Sequence, residues 1–250
     1  MELELSGRSA LVTGSSRGIG RAIAELLYAE GCQMVLNGRT TEDLEKAKDD
    51  LPGAVAVVGD VTRADDAQRV VAESAAAVGL LDILVCNVGS GRSLPPGDET
   101  YEEWQRIFEI NLWSTTNTVA AAREVLASGA VIICVSSICG IEVVPGAPVI
   151  YSAAKAALNA YVRGMARPLG KQGIRIHAVA PGNILFDGST WSHKLSENAD
   201  LVEDMLQRDV ALSRLGTARE VAELVAYLAS PRANFATGGV WPLDGGQLRS

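Results

Sequence analysis

The chain has 250 residues, 48% of them apolar, with 25 glycines and only 9 prolines, enough to bury one substantial core at the upper end of single-domain size. Its 22 Lys and Arg against 30 Asp and Glu leave a net charge of −8, which repels phosphate backbones and anionic lipid, so neither nucleic acid nor a membrane surface is an expected partner. No apolar run approaches the roughly 20 residues of a membrane span, and the start Met1-Glu2-Leu3-Glu4 lacks the basic and apolar regions of a secretory signal; the expected location is the cytoplasm.

The first apolar run, Ala10-Leu11-Val12, leads into Thr13-Gly14-Ser15-Ser16-Arg17-Gly18-Ile19-Gly20. Ile19, Ala22, Ile23, Leu26 and Leu27 then recur at helical spacing, and Gly31 supplies a stop. Glycines between a strand and a helix let the backbone approach a pyrophosphate, whose charge faces the free N–H groups of the helix start. The spacing is G-x-x-x-G-x-G rather than G-x-G-x-x-G, so the strand before and the helix after carry this reading more than the glycines themselves.

The second run, Met34-Val35-Leu36, ends in Asn37-Gly38-Arg39. Dinucleotide enzymes that prefer NAD place an acid here to hold the ribose hydroxyls. None is present, and Arg17 and Arg39 can converge from two loops on a 2′-phosphate, which favours NADP over NAD. Further apolar runs at 54–58 and 82–85 flank a helical stripe of Ala67, Val70, Val71, Ser74, Ala75 and Val78. Trp104, Ile107, Phe108 and Asn111 form another stripe, which puts an amide on an apolar face where it needs a buried partner; it is either a working residue or a satisfied one at a helix distortion.

Two more runs, 131–135 and 174–179, bracket Tyr151-Ser152-Ala153-Ala154-Lys155 in a segment of helical composition. Spacing of i, i+4 puts phenol and ammonium on one face, and a nearby cation is expected to lower the phenol pKa and make Tyr151 a proton donor and acceptor. The polar stretch 187–213, with Trp191, Leu195, Leu201, Met205 and Leu206, reads as helices inserted over the sheet edge, either a surface excursion or a substrate lid. Thr217-Ala218-Arg219-Glu220 has the spacing of a capping box before Val221, Leu224, Val225 and Leu228.

Apolar runs that do not alternate with polar residues mark strands covered on both faces. With helices between them, the order gives an α/β fold, a doubly wound parallel sheet in one domain. The four cysteines form no C-x-x-C and the two histidines, His177 and His193, are far apart; the cysteines read as small buried hydrophobes and no metal site is expected.

Taken in order, the motifs resemble the short-chain dehydrogenase/reductase family over essentially the whole chain. The resemblance rests on 13–20, Asp60-Val61, Cys86-Asn87-Val88-Gly89, Asn111, Ser136-Ser137, Tyr151 with Lys155, Pro181-Gly182, and the tail from Thr237-Gly238-Gly239 to Asp244-Gly245-Gly246. It implies a three-layer αβα Rossmann fold, one NAD(P)-binding domain over 1–250; the position of 187–213 outside the strand ends favours a substrate lid there. It also implies a cofactor site of Gly14, Ser16, Arg17, Gly18, Ile19, Gly20, Asn37, Gly38, Arg39, Asp60, Val61, Asn87, Gly89, Tyr151, Lys155, Pro181, Gly182 and Ile184. Catalysis would rest on Asn111 for a relay water, Ser137 for the substrate carbonyl, Tyr151 for the proton, and Lys155 for the ribose. Val88 stands where the family usually has alanine, Ser137 lies fourteen residues before Tyr151, one more than expected, and Phe186 stands where a threonine often meets the cofactor.

The expected activity is NADP(H)-dependent interconversion of a ketone, for example a 3-oxoacyl thioester, and a secondary alcohol. The alternatives are a sugar, polyol or cyclic-alcohol dehydrogenase, a dinucleotide-binding regulator without turnover, or a structural subunit that uses the small-residue stripe Ala153, Ala157, Ala160 and Gly164. The resemblance implies a homotetramer or homodimer and a small-molecule substrate.

Overall fold

A computed structural model describes residues 2–249. The six apolar runs become parallel strands: β1 (Ser9–Val12), β2 (Gln33–Gly38), β3 (Val55–Val58), β4 (Leu81–Cys86), β5 (Leu126–Val135) and β6 (Arg175–Pro181). Two short strands, β7 (Ile184–Leu185) and β8 (Gly216–Thr217), pair with each other, and β9 (Val240–Leu243) joins the main sheet beside β6. The order β3-β2-β1-β4-β5-β6-β9 reverses direction between β1 and β4, and at such a switch point the carboxyl ends of the strands open a crevice.

Helices α1 (Gly18–Ala29), α2 (Thr41–Asp49) and α9 (Ala218–Ala229) cover one face of the sheet, and α3 (Ala64–Val78), α5 (Ser114–Ala122) and α6 (Val149–Gly170) the other. The absence of alternation in the strands now has its cause. Ala10 and Val12 pack with Leu26, Leu27 and Val225, whereas Leu11 between them packs with Val70, Val71 and Val119. On β5, Val131, Ile133 and Val135 face the first core and Ile132 and Cys134 the second, so the run 131–135 is continuously apolar because both faces are covered. Cys32, Cys86 and Cys134 are buried among these hydrophobes, and Cys139 is half-buried.

Local signals act where expected. Thr217 caps α9, its hydroxyl accepting from the Glu220 N–H at 3.2 Å while Glu220 accepts the Thr217 N–H at 2.8 Å. Gly31 takes φ +87° after α1, where a side chain would also meet Ser6. The small-residue stripe does not pack on the sheet: Ala160 and Gly164 are exposed, and α6 buries Ile150, Ala154, Leu158 and Val162 instead.

Three features depart from the sequence reading. β5 starts at Leu126, five residues before its apolar run, through an irregularity at Gly129 with φ +81°. Helix α4 (Tyr101–Phe108) widens to a π-helical turn over Glu109–Trp113, so the stripe ending at Asn111 is not one continuous α-helical face. The inserted segment forms α7 (Thr190–Glu197) and α8 (Ala199–Asp209), but Leu201 is 64% exposed; Val202, Leu206 and Val210 form its small core with Trp191, Leu195 and Met205 packed against them.

Candidate active site

The cleft at the carboxyl ends of the strands has a volume of about 620 Å³. Its floor at one end is the glycine turn after β1. Gly14 and Gly18 have φ of +63° and +59°, a region that L side chains avoid. Gly20 is required for closeness rather than conformation: a Cβ there would lie 2.4 Å from the Gly14 carbonyl oxygen and 2.4 Å from Asn87 Nδ2. Asn87 clamps the turn, donating to the carbonyls of Thr13 and Gly14 at 3.1 and 3.0 Å, while Thr13 Oγ1 accepts from the Asn87 N–H at 3.0 Å. The result is a bare backbone surface at the start of α1, the form an anion cradle takes.

Beyond the turn, Arg17 and Arg39 line the same end of the cleft, both exposed and neither in an ion pair among the described residues. Asn37 lines the cleft with its amide already engaged, donating to the carbonyls of Val57 and Gly59 at 3.0 and 3.2 Å. It ties β2 to β3 and holds Arg39 in place from two residues away. Asp60 turns its carboxylate onto Thr62, accepting from the N–H at 3.0 Å and the hydroxyl at 2.8 Å, and Val61 is buried beside it. Ser16, Gly38, Gly89, Pro181, Gly182 and Ile184 are also on the lining. Phe186 also lies on the wall, and its ring sits so close to Gly18 that a Cβ there would meet it at 2.7 Å. An aromatic face thus packs on the glycine turn where the family often has a hydroxyl.

At the other end Tyr151 and Lys155, one turn apart on α6, enter the cleft together. Lys155 is 2% exposed; its ammonium donates to the Val135 carbonyl at 2.9 Å and lies 5.9 Å from the centre of the Tyr151 ring. Burial lowers the Lys155 pKa to about 8. Tyr151 overturns the expectation of a depressed phenol. Desolvation by its surroundings raises its pKa to about 12, with contact to Ser137 pulling the other way and Cys139 adding to the rise. The ammonium, 5.9 Å from the ring centre and bonded to a carbonyl, does not offset the cost of burying a phenolate.

Ser137 and Asn111 are placed behind the cleft lining rather than on it. Ser137 is 7% exposed, and its hydroxyl accepts from the Cys139 N–H at 3.2 Å. Asn111 is fully buried in the π-helical turn; its amide donates to the carbonyls of Ser90 and Ile107 at 3.0 Å each, and its oxygen accepts the Ser90 N–H at 3.0 Å. Its side chain therefore holds the strand-end loop after Gly89. Gly89 must lack a side chain, because a Cβ there would approach both Asn111 Oδ1 and Lys155 Nζ to 3.0 Å.

Two supporting residues escaped the sequence reading. Asn159 accepts from the Ser136 hydroxyl at 2.6 Å and donates to the Gly140 carbonyl at 3.0 Å, bracing the loop that carries Ser137. Gly140 in turn lies against the α6 backbone, where a Cβ would fall 2.5 Å from the Lys155 carbonyl carbon. The signal for Asn159 was present: it follows Tyr151 at i+8 and Lys155 at i+4 on the same helical face. His177 belongs to no site of this kind. It is fully buried, accepts from the Trp241 indole N–H at 3.2 Å, and burial lowers its pKa to about 4, which keeps it neutral.

A doubly wound parallel sheet with a glycine-built cradle at its switch point and a tyrosine–lysine pair across the cleft defines a Rossmann-fold oxidoreductase. Comparison with known proteins gives the family. The family model described as enoyl-(acyl carrier protein) reductase matches residues 14–247. A putative ketoacyl reductase of the granaticin polyketide synthase from Streptomyces violaceoruber is 37% identical over 95% of this chain and 94% of that protein. Glucose 1-dehydrogenase of Gluconobacter oxydans is 33% identical over 96% and 92%. The structure of L-sorbose reductase from Gluconobacter frateurii, complexed with NADPH and L-sorbose, superposes with a TM-score of 0.91 at 29% identity, with all of both chains covered. The chain belongs to the short-chain dehydrogenase/reductase family, whose members act as oxidoreductases on alcohol and carbonyl groups.

Proposed function

We propose that this chain is an NADP(H)-dependent reductase that interconverts a ketone and a secondary alcohol. The observation that carries the reading is the buried Lys155 beside Tyr151 in a cleft whose opposite end is bare glycine backbone flanked by two unpaired arginines. The cradle fits a dinucleotide: Gly14 and Gly18 line it with bare backbone, and Arg17 and Arg39 present charge that no ion pair among the described residues takes up. Bound there, NADPH supplies the hydride, and the protein supplies geometry and a proton. Gly14, Ser16, Gly18 and Ile19 would hold the phosphates, Asp60 and Val61 the adenine, and Gly89, Pro181, Gly182 and Ile184 the nicotinamide half.

Ser137 would orient the carbonyl and Tyr151 would donate its proton to the forming alkoxide. Lys155 would stabilise the phenolate left behind and hold the ribose, and Asn111 would fix the loop, with a relay water close by. A phenol held near pKa 12 is protonated throughout the neutral range, the form that serves as the acid in reduction. Assay of NADPH and NADH consumption against 3-oxoacyl thioesters, ketoses, cyclic ketones and aldehydes tests the reading. It expects NADPH to be oxidised with an equal amount of alcohol formed for at least one class. Tight NADPH binding with no turnover in any class would establish the cofactor-binding regulator instead.

The segment 187–213 serves in this reading as the lid. Gly188, Ser189, Thr190 and Trp191 already form one wall of the cleft, and α7 buries no residue fully, so little packing resists its opening. Amide hydrogen exchange in α7 is expected to slow on addition of NADPH with a substrate analogue. Protection already at its maximum in the protein alone would mark the segment as a rigid wall.

A further inference from the structure

Although the chain carries a net charge of −8, the charged side chains that line the cleft are Arg17, Arg39, Arg92, Arg106 and Lys155 against a single acid, Asp60. Arg17 and Arg39 belong to the nucleotide end and Lys155 is buried on a carbonyl. Arg106 is balanced by Glu103 at 2.6 and 2.8 Å, a pair that holds the Glu103 carboxyl down to about 2, so both remain ionised at neutral pH.

Arg92 alone at the substrate end has no such match. It follows Gly91, where a Cβ would lie 3.9 Å from the Tyr151 ring, and no carboxylate lies within 4.0 Å of its guanidinium among the described residues. Its backbone is nonetheless held from several sides. The Ser90 hydroxyl accepts its N–H at 3.2 Å, Arg106 donates to its carbonyl at 3.0 Å, and Glu103 accepts the Leu94 N–H at 3.2 Å. Ser90 itself is pinned by Asn111. Trp191 also lines the cleft, with the Lys194 ammonium 4.6 Å from its ring centre.

We propose that Arg92 is a specificity residue that reads an anionic group, a carboxylate or a phosphate, on the carbonyl substrate. This rests on the reductase reading above. A braced loop that passes beside the Tyr151 ring at Gly91 places an unpaired guanidinium on the cleft lining, and its planar fork suits either oxyanion. The Glu103–Arg106 pair is then a positioning device: it fixes the loop while leaving the charge of Arg92 free.

The test uses matched pairs of carbonyl compounds with NADPH. One pair is 4-oxopentanoate and its methyl ester; the other is acetoacetyl-coenzyme A and the uncharged acetoacetyl-N-acetylcysteamine. The proposal expects the anionic member of at least one pair to be favoured in kcat/KM by about tenfold or more, chiefly through KM, and the pair that responds tells carboxylate from phosphate. Arg92→Ala should lower kcat/KM for that anion by about 10- to 100-fold more than for its neutral partner, and Arg92→Lys should restore part of it.

Calorimetric binding of the two anions, 4-oxopentanoate and acetoacetyl-coenzyme A, to the NADPH-saturated protein reads the same contact without turnover, and for the favoured one Arg92→Ala should weaken it by a similar factor. If no carbonyl compound is reduced, the reductase reading fails and binding alone decides the anion contact. Equal use of both members of each pair by the unaltered protein, or equal losses for anion and neutral partner in Arg92→Ala, or in the absence of turnover anion binding that Arg92→Ala leaves unchanged, would overturn the proposal.

Discussion

Tyr151→Phe is expected to keep NADPH binding and lose on the order of 10² to 10⁴ in turnover, the range for a positioned acid–base group. The substitution removes one hydroxyl and leaves the ring, which packs with Ile107, Ile150 and Ala154, so the fold has little reason to change. The pH dependence gives a second reading with a definite sign. Reduction requires the protonated phenol, which a pKa of about 12 provides over the whole neutral range, and an ammonium on Lys155 to stabilise the phenolate formed. The ammonium is present below about pH 8 and is lost as pH rises through that value, so kcat/KM for reduction should be level at neutral pH and fall above about 8. Oxidation of the alcohol starts from the phenolate and should rise with pH. Near-normal turnover in a folded Tyr151→Phe variant, with both profiles unchanged, would reduce the pair to a helix-start packing element.

The preference between cofactors is expected to shift as strongly. Arg39→Ala should weaken NADPH binding by about 10- to 150-fold and leave NADH nearly unchanged, because a charge-assisted hydrogen bond to a phosphate is worth about 1.5 to 3 kcal/mol. Arg39 follows β2 directly, and Asn37 fixes that strand end through Val57 and Gly59, so the guanidinium starts from a rigid base. Arg17 approaches from the glycine turn, where Asn87 clamps the backbone. Fluorescence titration of both cofactors against both single variants checks the assignment. Equal losses for NADPH and NADH would mean that the arginines hold a part common to both.

The parts of the fold legible in the sequence were those in which one short segment carries its own signal. Continuous apolar runs marked β1 to β6 because both faces of the sheet are covered, and a capping box marked the start of α9. β9 was silent for a physical reason. It is an edge strand in which Trp241 and Pro242 are exposed, so no apolar run forms, and proline is tolerated because only one side pairs. The π-helical turn at Asn111 was hidden as well, since one added residue per turn leaves the neighbouring spacing intact.

At the site, the spacing of Tyr151 and Lys155 was readable but their electrostatics were not. The phenol responds to burial by chain segments remote in sequence, and the ammonium to the Val135 carbonyl on β5, twenty residues before it. Arg92 was unreadable for the same reason, because its freedom depends on Glu103 pairing with Arg106 instead.

The most direct test of the central claim is to follow deuterium from NADPH labelled at nicotinamide C4, on each face in turn, into the product of whichever carbonyl compound the protein reduces. The account predicts that one of the two labelled forms delivers its deuterium to the carbinol carbon, that the other does not, and that no deuterium enters that carbon from heavy water. Solvent deuterium at the carbinol carbon, delivery from both labelled forms, or label in the product at any atom other than that carbon, would contradict it.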